Sequence, residues 1–276
     1  IKYGYMSIGR LGNAIPMVKV EPVEVNETIV EDVSLSSYDK YAGMDLHENE
    51  TVIIYSAGDV IPQLKVCEPR EYNSNSPYLK IPRTCPYCNE ALERIGSEYK
   101  CTNPNCPRLI TGRITNFLVK LGAENISDKT IELLYENRLV RTIQDLFELT
   151  VEDLKTVPGI EELSASNIIE ELKRIFTTPI PVSKVFGAIG IPNVSEKKCR
   201  GIFKVIDADS IAKSSPERLY MSLLNADGIG SKTAEVFVSF VKENRSLIDY
   251  LMKHMNITND VMYNGNIVFT GFRNKE

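Results

Sequence analysis

The sequence is poor in histidine and lacks the common motifs of catalytic sites. Among its 276 residues there are only two histidines, His47 in an acidic loop and His254 near a helix end, and neither has a cysteine or serine partner at a known motif spacing. The sequence has no phosphate-binding loop of the Gly-x4-Gly-Lys-Ser/Thr type and no Lys-x-Asp-Gly nucleotidyl-acceptor motif. We therefore expect both histidines on the surface and no catalytic residue on this chain.

Long apolar runs and targeting signals are missing as well. No stretch of about 18 apolar residues is present, and the N-terminus, IKYGYMSIGR, lacks the charged-then-apolar order of a signal peptide. We expect an intracellular protein without a membrane partner. The chain starts at Ile1 and stops soon after a strand-like run from Ile267 to Phe269, so we also expect a fragment or one piece of a longer functional unit.

Positive charge is in slight deficit. The net charge of -5 argues against wholesale electrostatic capture of nucleic acid. The charge is unevenly distributed, because residues 21–50 carry nine acidic side chains and one lysine, whereas residues 80–120 carry seven basic and three acidic side chains. A bias of this size is commonly just a solvated face, so it does not by itself indicate a binding site.

The pattern changes along the chain from strands to helices. Residues 1–72 contain short Val- and Ile-rich runs broken by Pro, Asn and Gly, which predict a small β-barrel. Residues 73–84 are polar and bracketed by prolines, a composition typical of linkers. From 108 to 258 apolar residues recur three and four apart, which predicts short helices. We expect a multidomain α+β chain with a small β-barrel, a cysteine module at 85–107 and an all-α domain.

Four of the six cysteines form two close pairs, Cys85–Cys88 and Cys101–Cys106. This spacing is typical of a zinc ribbon, in which four thiolates fill a tetrahedral shell and leave no open position for catalysis. Two disulfides, an iron site or four free thiols are the alternatives, although an intracellular chain disfavours disulfides. Cys67 and Cys199 stand alone in apolar surroundings, and we expect them to be packing residues.

Four segments in the helical part follow one plan, at 123–134, 156–168, 190–202 and 225–237. Each has a small or polar turn with a central Ile or Val, after which a helix begins. The last segment contains a Gly-Ile-Gly turn, whose backbone N–H groups and following helix N-terminus can grip a phosphate. Such a grip reads no base sequence and needs no basic side chain. Helix packing without a ligand is the alternative, but four tandem units beside a zinc ribbon favour nucleic acid.

The order of these motifs resembles the C-terminal half of the NAD-dependent DNA ligases of bacteria and some viruses. The motifs are IGRLGNAIPMVKVEPVEV, SAGDVIPQLKV, the four-cysteine module, the four hairpin units and the closing GNIVFTGF. The resemblance implies an OB-fold at 1–72, a linker at 73–84, a zinc finger at 85–107, a helix-hairpin-helix DNA-binding domain at 108–258 and the truncated start of a BRCT-like domain at 264–276.

The resemblance also implies an activity. In this family a lysine of the adenylation domain takes AMP from NAD, the AMP passes to the 5′-phosphate of a nick, and the 3′-hydroxyl displaces it with the help of magnesium. That domain would lie before Ile1, so NAD and magnesium are expected outside this chain, zinc is its structural ion, and the chain alone should not adenylate itself. The implied partners are nicked double-stranded DNA and an adenylation domain or subunit, in cis or in trans, in the cytoplasm of a bacterial cell or a phage-infected host.

Site residues follow from the resemblance position by position. Arg10 matches the arginine of the family's Gly-Arg-Thr-Gly turn and would contact a phosphate. Val60 and Ile61 match the apolar pair of the family's Arg-Ala-Gly-Asp-Val-Ile-Pro stretch, which meets the minor groove beside the nick. Leu11 stands where threonine is usual, and Ser56 stands where arginine is usual. Because the arginine is missing, the resemblance does not carry the family's DNA affinity over to this OB-fold.

The hairpins depart further from the family's Gly-apolar-Gly turn. Gly228 and Gly230 keep both glycines, whereas the second and third units keep only the first, as Gly159 and Gly190. A carboxylate at Glu161 would repel a phosphate, so we expect the fourth hairpin to bind DNA and the second to be largely structural. The replacements of the family's glycines are Glu161, Ser195, Asn125 and Ser127.

We therefore predict the DNA-clamping part of an NAD-dependent DNA ligase, serving DNA replication and repair as a fragment or as a split second subunit. The alternative is a non-enzymatic DNA-binding or repair scaffold with a zinc ribbon and helix-hairpin-helix motifs. A zinc-dependent hydrolase does not fit, because four thiolates leave the metal no open position for water or substrate.

Overall fold

A computed structural model describes residues 1–57 and 61–260 of the chain. They fall into two compact units, Ile1–Arg113 and Ile114–Glu276, and each unit is described by itself. The predicted start of a BRCT-like domain at 264–276 lies outside the described residues. The domain boundaries drawn from the sequence stay a prediction.

The first unit is built from antiparallel strands. Its elements are β1 (Tyr3–Ile8), β2 (Asn13–Val25), β3 (Thr28–Ser34), α1 (Tyr38–Ala42), β4 (Thr51–Ala57), β5 (Ile61–Glu71), β6 (Glu93–Ile95) and β7 (Glu98–Lys100). One sheet has the order β1-β2-β7-β6, with β3 pairing on β2, and a separate ribbon is formed by β4 and β5. In the first half of β2 the alternate residues Pro16, Val18 and Val20 are buried in the core, as the two-residue period of a strand requires.

The core of the first unit is continuous from the barrel to the cysteine module. Strand β7 of the module pairs with β2, and buried cysteines of the module belong to the same hydrophobic cluster as the barrel residues. The predicted linker at 73–84 also contributes Leu79 and Ile81, which are 3% and 4% exposed. A Cβ on Gly4 of β1 would lie 2.5 Å from Ile81, so the glycine lets this segment pack directly on the sheet. Leu79 and Ile81 thus anchor this segment to the core, although most of residues 73–84 are polar.

The second unit is almost entirely helical. Its elements are α2 (Pro107–Leu121, which begins in the first unit), α3 (Asp128–Glu136), a 3-10 helix (Gln144–Phe147), α4 (Val151–Lys155), α5 (Glu162–Thr177), β8 (Ile180–Pro181), α6 (Val182–Ile189), α7 (Glu196–Ile202), α8 (Ala208–Lys213), α9 (Pro216–Leu223), α10 (Ser231–Glu243), α11 (Arg245–His254) and β9 (Ile257–Thr258). Several of these helices begin at side-chain caps, and Thr150 and Asp153 form a reciprocal capping box at the start of α4.

The predicted fold class is confirmed: small β-barrel strands come first, then a cysteine module compatible with a zinc ribbon, then an all-α hairpin domain. Within residues 1–57 and 61–260, no helix combines the length and apolar content needed to cross a membrane.

Candidate nucleic-acid interface and metal site

The four paired cysteines converge from two turns. Cys85 and Cys88 lie on a turn closed by the Asn89 N–H, which donates to the Cys85 carbonyl oxygen at 2.8 Å. Cys101 follows β7 directly, and the carbonyl oxygen of Cys106 accepts hydrogen bonds from the first amides of α2. The β6–β7 hairpin thus brings the second pair back to the first, as the long spacing between the pairs predicted.

The geometry of the cluster fits a zinc ion. All four Sγ atoms lie within 4.8 Å of one another, with Cys85 to Cys106 at 3.8 Å and Cys88 to Cys101 at 3.7 Å. A tetrahedron with Zn–S bonds of about 2.3 Å has edges of about 3.8 Å. Burial raises the pKa of the Cys101 and Cys106 thiols, so a cation is needed to hold four thiolates together. Zinc bound here would be structural, since no ligand position stays open.

The two remaining cysteines lie apart from this cluster. Cys199 is fully buried on α7, and burial raises its pKa to about 12, which keeps the thiol neutral and unreactive. It occupies the inward position of its hairpin helix, where Ala165 and Ala234 lie in α5 and α10. Cys67 is half-buried on β5. Cys199 is therefore a packing residue, as predicted.

The predicted DNA-contacting residues of the barrel lie on exposed parts of the first unit. Arg10 is exposed on the turn Gly9–Gly12 between β1 and β2, and Leu11 beside it is 65% exposed. Ile61 begins β5 and is 62% exposed. Val60 lies outside the described residues. An exposed isoleucine at a strand end suits insertion against a base step.

The four hairpin turns share one backbone geometry. In each, an exposed residue in the left-handed conformation is followed by a buried Ile or Val, and then by the N-cap of the second helix. In three of them the buried residue donates its N–H to the carbonyl three residues earlier at 3.1 Å. The three-residue turns are Asn125-Ile126-Ser127, Gly159-Ile160-Glu161, Asn193-Val194-Ser195 and Gly228-Ile229-Gly230.

This geometry changes the alignment of the third hairpin. Gly190, which the sequence suggested as the turn glycine, directly follows α6 as its C-cap with φ of 86°. The residue equivalent to Gly228 is Asn193, with φ of 59°. Asparagine is among the few residues that tolerate this conformation, so the position was readable in principle from its spacing to Ser195. The sequence indicated Gly190 instead, because a glycine also ends the preceding helix.

The helix N-termini differ between odd and even hairpins. Ser127 Oγ accepts from the Thr130 N–H at 3.1 Å, and Ser195 Oγ accepts from the Lys198 N–H at 3.4 Å. In the described part of the chain, α5 and α10 have no side-chain hydrogen bond at their N-caps, Glu161 and Gly230. In α5 the amide that a serine cap would bind has no acceptor among the described residues, whereas the equivalent N–H of α10, three residues after Gly230, donates to the Gly230 carbonyl oxygen at 3.0 Å. The amides of α10 without an acceptor among the described residues are therefore its first two, and these are open to an anion.

Charge separates the second hairpin from the fourth. Glu161 is followed by Glu162 in the first turn of α5, and Glu162 pairs with Lys155 at 3.0 Å. Of the four hairpin helices, α10 alone has no acidic residue in its first turn, and Lys232 lies there. The fourth hairpin therefore combines open amides with a positive first turn.

The turns of the first two hairpins lie side by side. They line a common groove of about 330 Å³. Its walls include Lys129 from α3 and Asn167 from α5, together with Asn125, Ser127 and Gly159 of the turns. The first and second hairpins thus both present polar groups to this groove.

His47 corrects one expectation. It is 7% exposed rather than on the surface, and its ring lies between Tyr72 at 4.1 Å and Tyr78 at 4.3 Å. The backbone N–H of His47 donates to Oε2 of buried Glu50 at 2.8 Å. The acidic sequence around His47 suggested solvent, but two tyrosines from beyond the barrel cover it. His254 is exposed, as predicted.

Two family models match the chain. Residues 5–76 match the NAD-dependent DNA ligase OB-fold domain, and residues 119–174 match the SAM-like helix-hairpin-helix tandem. The second match covers the first two hairpins, whose groove is described above.

Curated relatives named DNA ligase match nearly the whole chain. The protein of Aliarcobacter butzleri is 26% identical over 98% of this chain and 42% of its own length. Those of Flavobacterium johnsoniae and Thermosipho africanus are 32% and 29% identical, over 90% and 87% of this chain and 37% and 36% of their own lengths. The chain thus spans about two fifths of the length of these relatives. The chain therefore carries the OB-fold domain of the NAD-dependent DNA ligases and is similar over nearly its whole length to proteins named DNA ligase.

Proposed function

We propose that this chain is the DNA-binding clamp portion of an NAD-dependent DNA ligase that seals nicks in duplex DNA. The observation that carries the proposal is the fourth hairpin, whose open amides and positive first turn make a phosphate grip next to three turns of the same geometry. The OB-fold match and the ligase relatives support it. Main-chain grips bind every sequence alike, as an enzyme that acts at any nick requires.

The hairpins contribute unequally in this proposal. Gly230 leaves the N-terminus of α10 accessible, since nothing lies within 4 Å of the place a Cβ would occupy. Glu161 brings a carboxylate to the same position of the second hairpin and repels a phosphate there. Gly159 and Gly228 supply the left-handed turn residue, while Gly190 serves the end of α6 and Asn193 takes the turn position.

The barrel supplies the contact beside the nick. Arg10 binds a backbone phosphate, and Ile61 with Val60 inserts at the minor groove, where an apolar wedge favours a distorted duplex. Zinc held by the four cysteines fixes the module on the barrel and takes no part in the reaction. NAD and magnesium bind outside this chain, on an adenylation domain supplied in cis or in trans.

The proposal is tested by binding and by reconstitution. Fluorescence anisotropy with matched duplexes, one nicked and one intact, should give tighter binding to the nicked one. Incubation with NAD and magnesium should add no AMP to this chain by intact mass. Adding the adenylation domain of an NAD-dependent DNA ligase should then produce sealed product that neither protein yields alone.

The outcomes separate this proposal from a non-enzymatic repair scaffold. Binding to nicked DNA without any sealing in the presence of an active adenylation domain would favour the scaffold. An AMP adduct on this chain alone would contradict the clamp assignment, because it would place an acceptor residue here. Equal affinity for nicked and intact duplexes would contradict the proposed role of this chain at a nick.

A further inference from the structure

The turn that carries Arg10 is held on one side by a metal ligand. The Cys101 N–H donates to the Gly12 carbonyl oxygen at 2.9 Å. Gly12 has φ of 86°, and a Cβ there would lie 2.6 Å from the Cys101 carbonyl oxygen. The turn therefore needs glycine at position 12 for two reasons, its left-handed backbone and this close approach.

The start of α2 holds the same turn on the other side. A Cβ on Gly112 would lie 2.8 Å from the Arg10 Cα and 2.9 Å from its carbonyl carbon. One helical turn earlier, Arg108 Nε donates to the Ile8 carbonyl oxygen at 3.0 Å. Both atoms near Gly112 belong to the backbone, so a side chain at this position forces the turn or the helix to move.

These contacts join the cysteine cluster to a residue of the nucleic-acid interface. Cys101 directly follows β7, and Cys106 directly precedes α2. The backbone of Arg10 lies against Gly112 of α2, and Gly12 of the same turn accepts the hydrogen bond from Cys101. We infer that Gly12, Gly112 and the Cys101 backbone are positioning residues that hold Arg10 for its phosphate contact, so that loss of the metal loosens this contact. The inference rests on the proposed function.

A double-mutant cycle tests the positioning role. Arg10→Ala should weaken binding of the full chain to a nicked duplex by roughly tenfold and lower the salt slope by about one. Gly112→Ala should produce a similar loss and a similar fall in slope. The double variant should bind no more weakly than Arg10→Ala, because both changes remove the same contact.

Control variants distinguish a loss of Arg10 positioning from general destabilisation of the fold. Gly43→Ala is the control, since Gly43 has φ of -79° and a Cβ would lie 3.6 Å from the nearest atom. Gly12→Ala disturbs the turn on the side that contacts Cys101. Its effect on DNA binding should also be non-additive with that of Arg10→Ala. Metal content and thermal unfolding check that each variant is folded.

The outcomes distinguish the inference from the proposed function. Additive losses from Arg10→Ala and Gly112→Ala, or unchanged binding in folded Gly112→Ala, would overturn the positioning role alone. Wild-type protein that does not prefer the nicked duplex would overturn the proposed function, and the inference with it. If Arg10→Ala leaves the affinity for the nicked duplex unchanged, Arg10 makes no phosphate contact, and the positioning role is refuted as well.

Chelation supplies the metal test. Removing the metal from wild type and from Arg10→Ala should shrink the difference in their affinities for the nicked duplex. A difference that persists undiminished after chelation would overturn the link between the cluster and Arg10.

Discussion

Arg70 and Glu50 form a bidentate ion pair inside the first unit. Arg70 Nε donates to Oε1 and Nη2 to Oε2 of Glu50, each at 2.8 Å, and the Glu50 side chain is fully buried. Arg70 Nη2 also donates to the Asp45 carbonyl oxygen at 2.6 Å. The pair ties the end of β5 to the loop that precedes β4.

Removing Arg70 should destabilise the first unit strongly. Arg70→Ala leaves a buried carboxylate without its cation, which we expect to cost roughly 3 kcal/mol in the free energy of unfolding. Arg94→Ala is the matched control, because Arg94 pairs with Asp39 at 2.9 Å but both side chains are 53% exposed. That pair should contribute less than about 1 kcal/mol. Urea unfolding of the two variants measures the contrast, and equal losses would contradict it.

Glu50 should also make stability depend on pH. Burial alone would raise its pKa, but hydrogen bonds from Arg70 and the His47 amide outweigh burial and hold the pKa below its ordinary value of 4.5. A depressed pKa contributes stability that is complete above about pH 4.5 and is lost as pH falls through the native pKa. Glu50→Gln should therefore cost much near neutral pH and progressively less below about pH 4.

Unfolding midpoints of wild type and Glu50→Gln across this range test the sign. Other carboxylates titrate in both proteins, so they cancel in the difference. A penalty for Glu50→Gln that is as large in acid as at neutral pH would show that the Glu50 charge does not stabilise the fold.

Metal binding should be lost when one cluster cysteine is changed. Wild type should carry about one zinc per chain, and Cys101→Ser should lose it and destabilise the barrel as well as residues 80–120, because β7 pairs with β2. Cys67→Ser is the control outside the cluster and should keep its metal. Elemental analysis with thermal unfolding checks both, and a folded Cys101→Ser variant that retains zinc would refute the site.

The sequence was most informative where a periodic pattern carried the information. The change from alternating strands to helical spacing and the two cysteine pairs predicted the fold class, because each reflects local geometry. It was least informative where distant residues meet. The burial of Ile81 depends on Gly4, and the burial of His47 depends on Tyr72 and Tyr78, and none of these contacts is local in sequence.

The hairpins illustrate the same limit within a single motif. Searching for glycine finds Gly159 and Gly228 but places the third turn at Gly190, while the backbone places it at Asn193. What the turn requires is a left-handed conformation, which asparagine also adopts. In all four turns a Gly or Asn lies two residues before the N-cap of the second helix.

Gly230 of the fourth hairpin and Glu161 of the second occupy the same N-cap position. Placing glutamate at 230 should weaken DNA binding by the fourth hairpin, and placing glycine at 161 should strengthen binding by the second. Gly230→Glu meets no atom within 4 Å and has an ordinary φ of -88°, so the fold should persist while affinity for nicked duplex falls roughly tenfold, about 1.4 kcal/mol. Glu161→Gly removes a carboxylate from open amides and should strengthen binding. Both effects should be the same for unrelated duplex sequences, because main-chain contacts to phosphate carry no base information.

Anisotropy titrations with several nicked duplexes at two salt concentrations decide this prediction. Ser195→Gly is a useful third variant. Ser195 caps α7, so its loss should lower stability slightly, and an N-cap without a side chain should make the third hairpin more similar to the fourth. A loss in Gly230→Glu confined to one sequence would mean that the α10 N-terminus reads bases. No loss in a folded Gly230→Glu variant would mean that DNA does not reach this hairpin, and the grip would then have to lie at the groove between the first two turns.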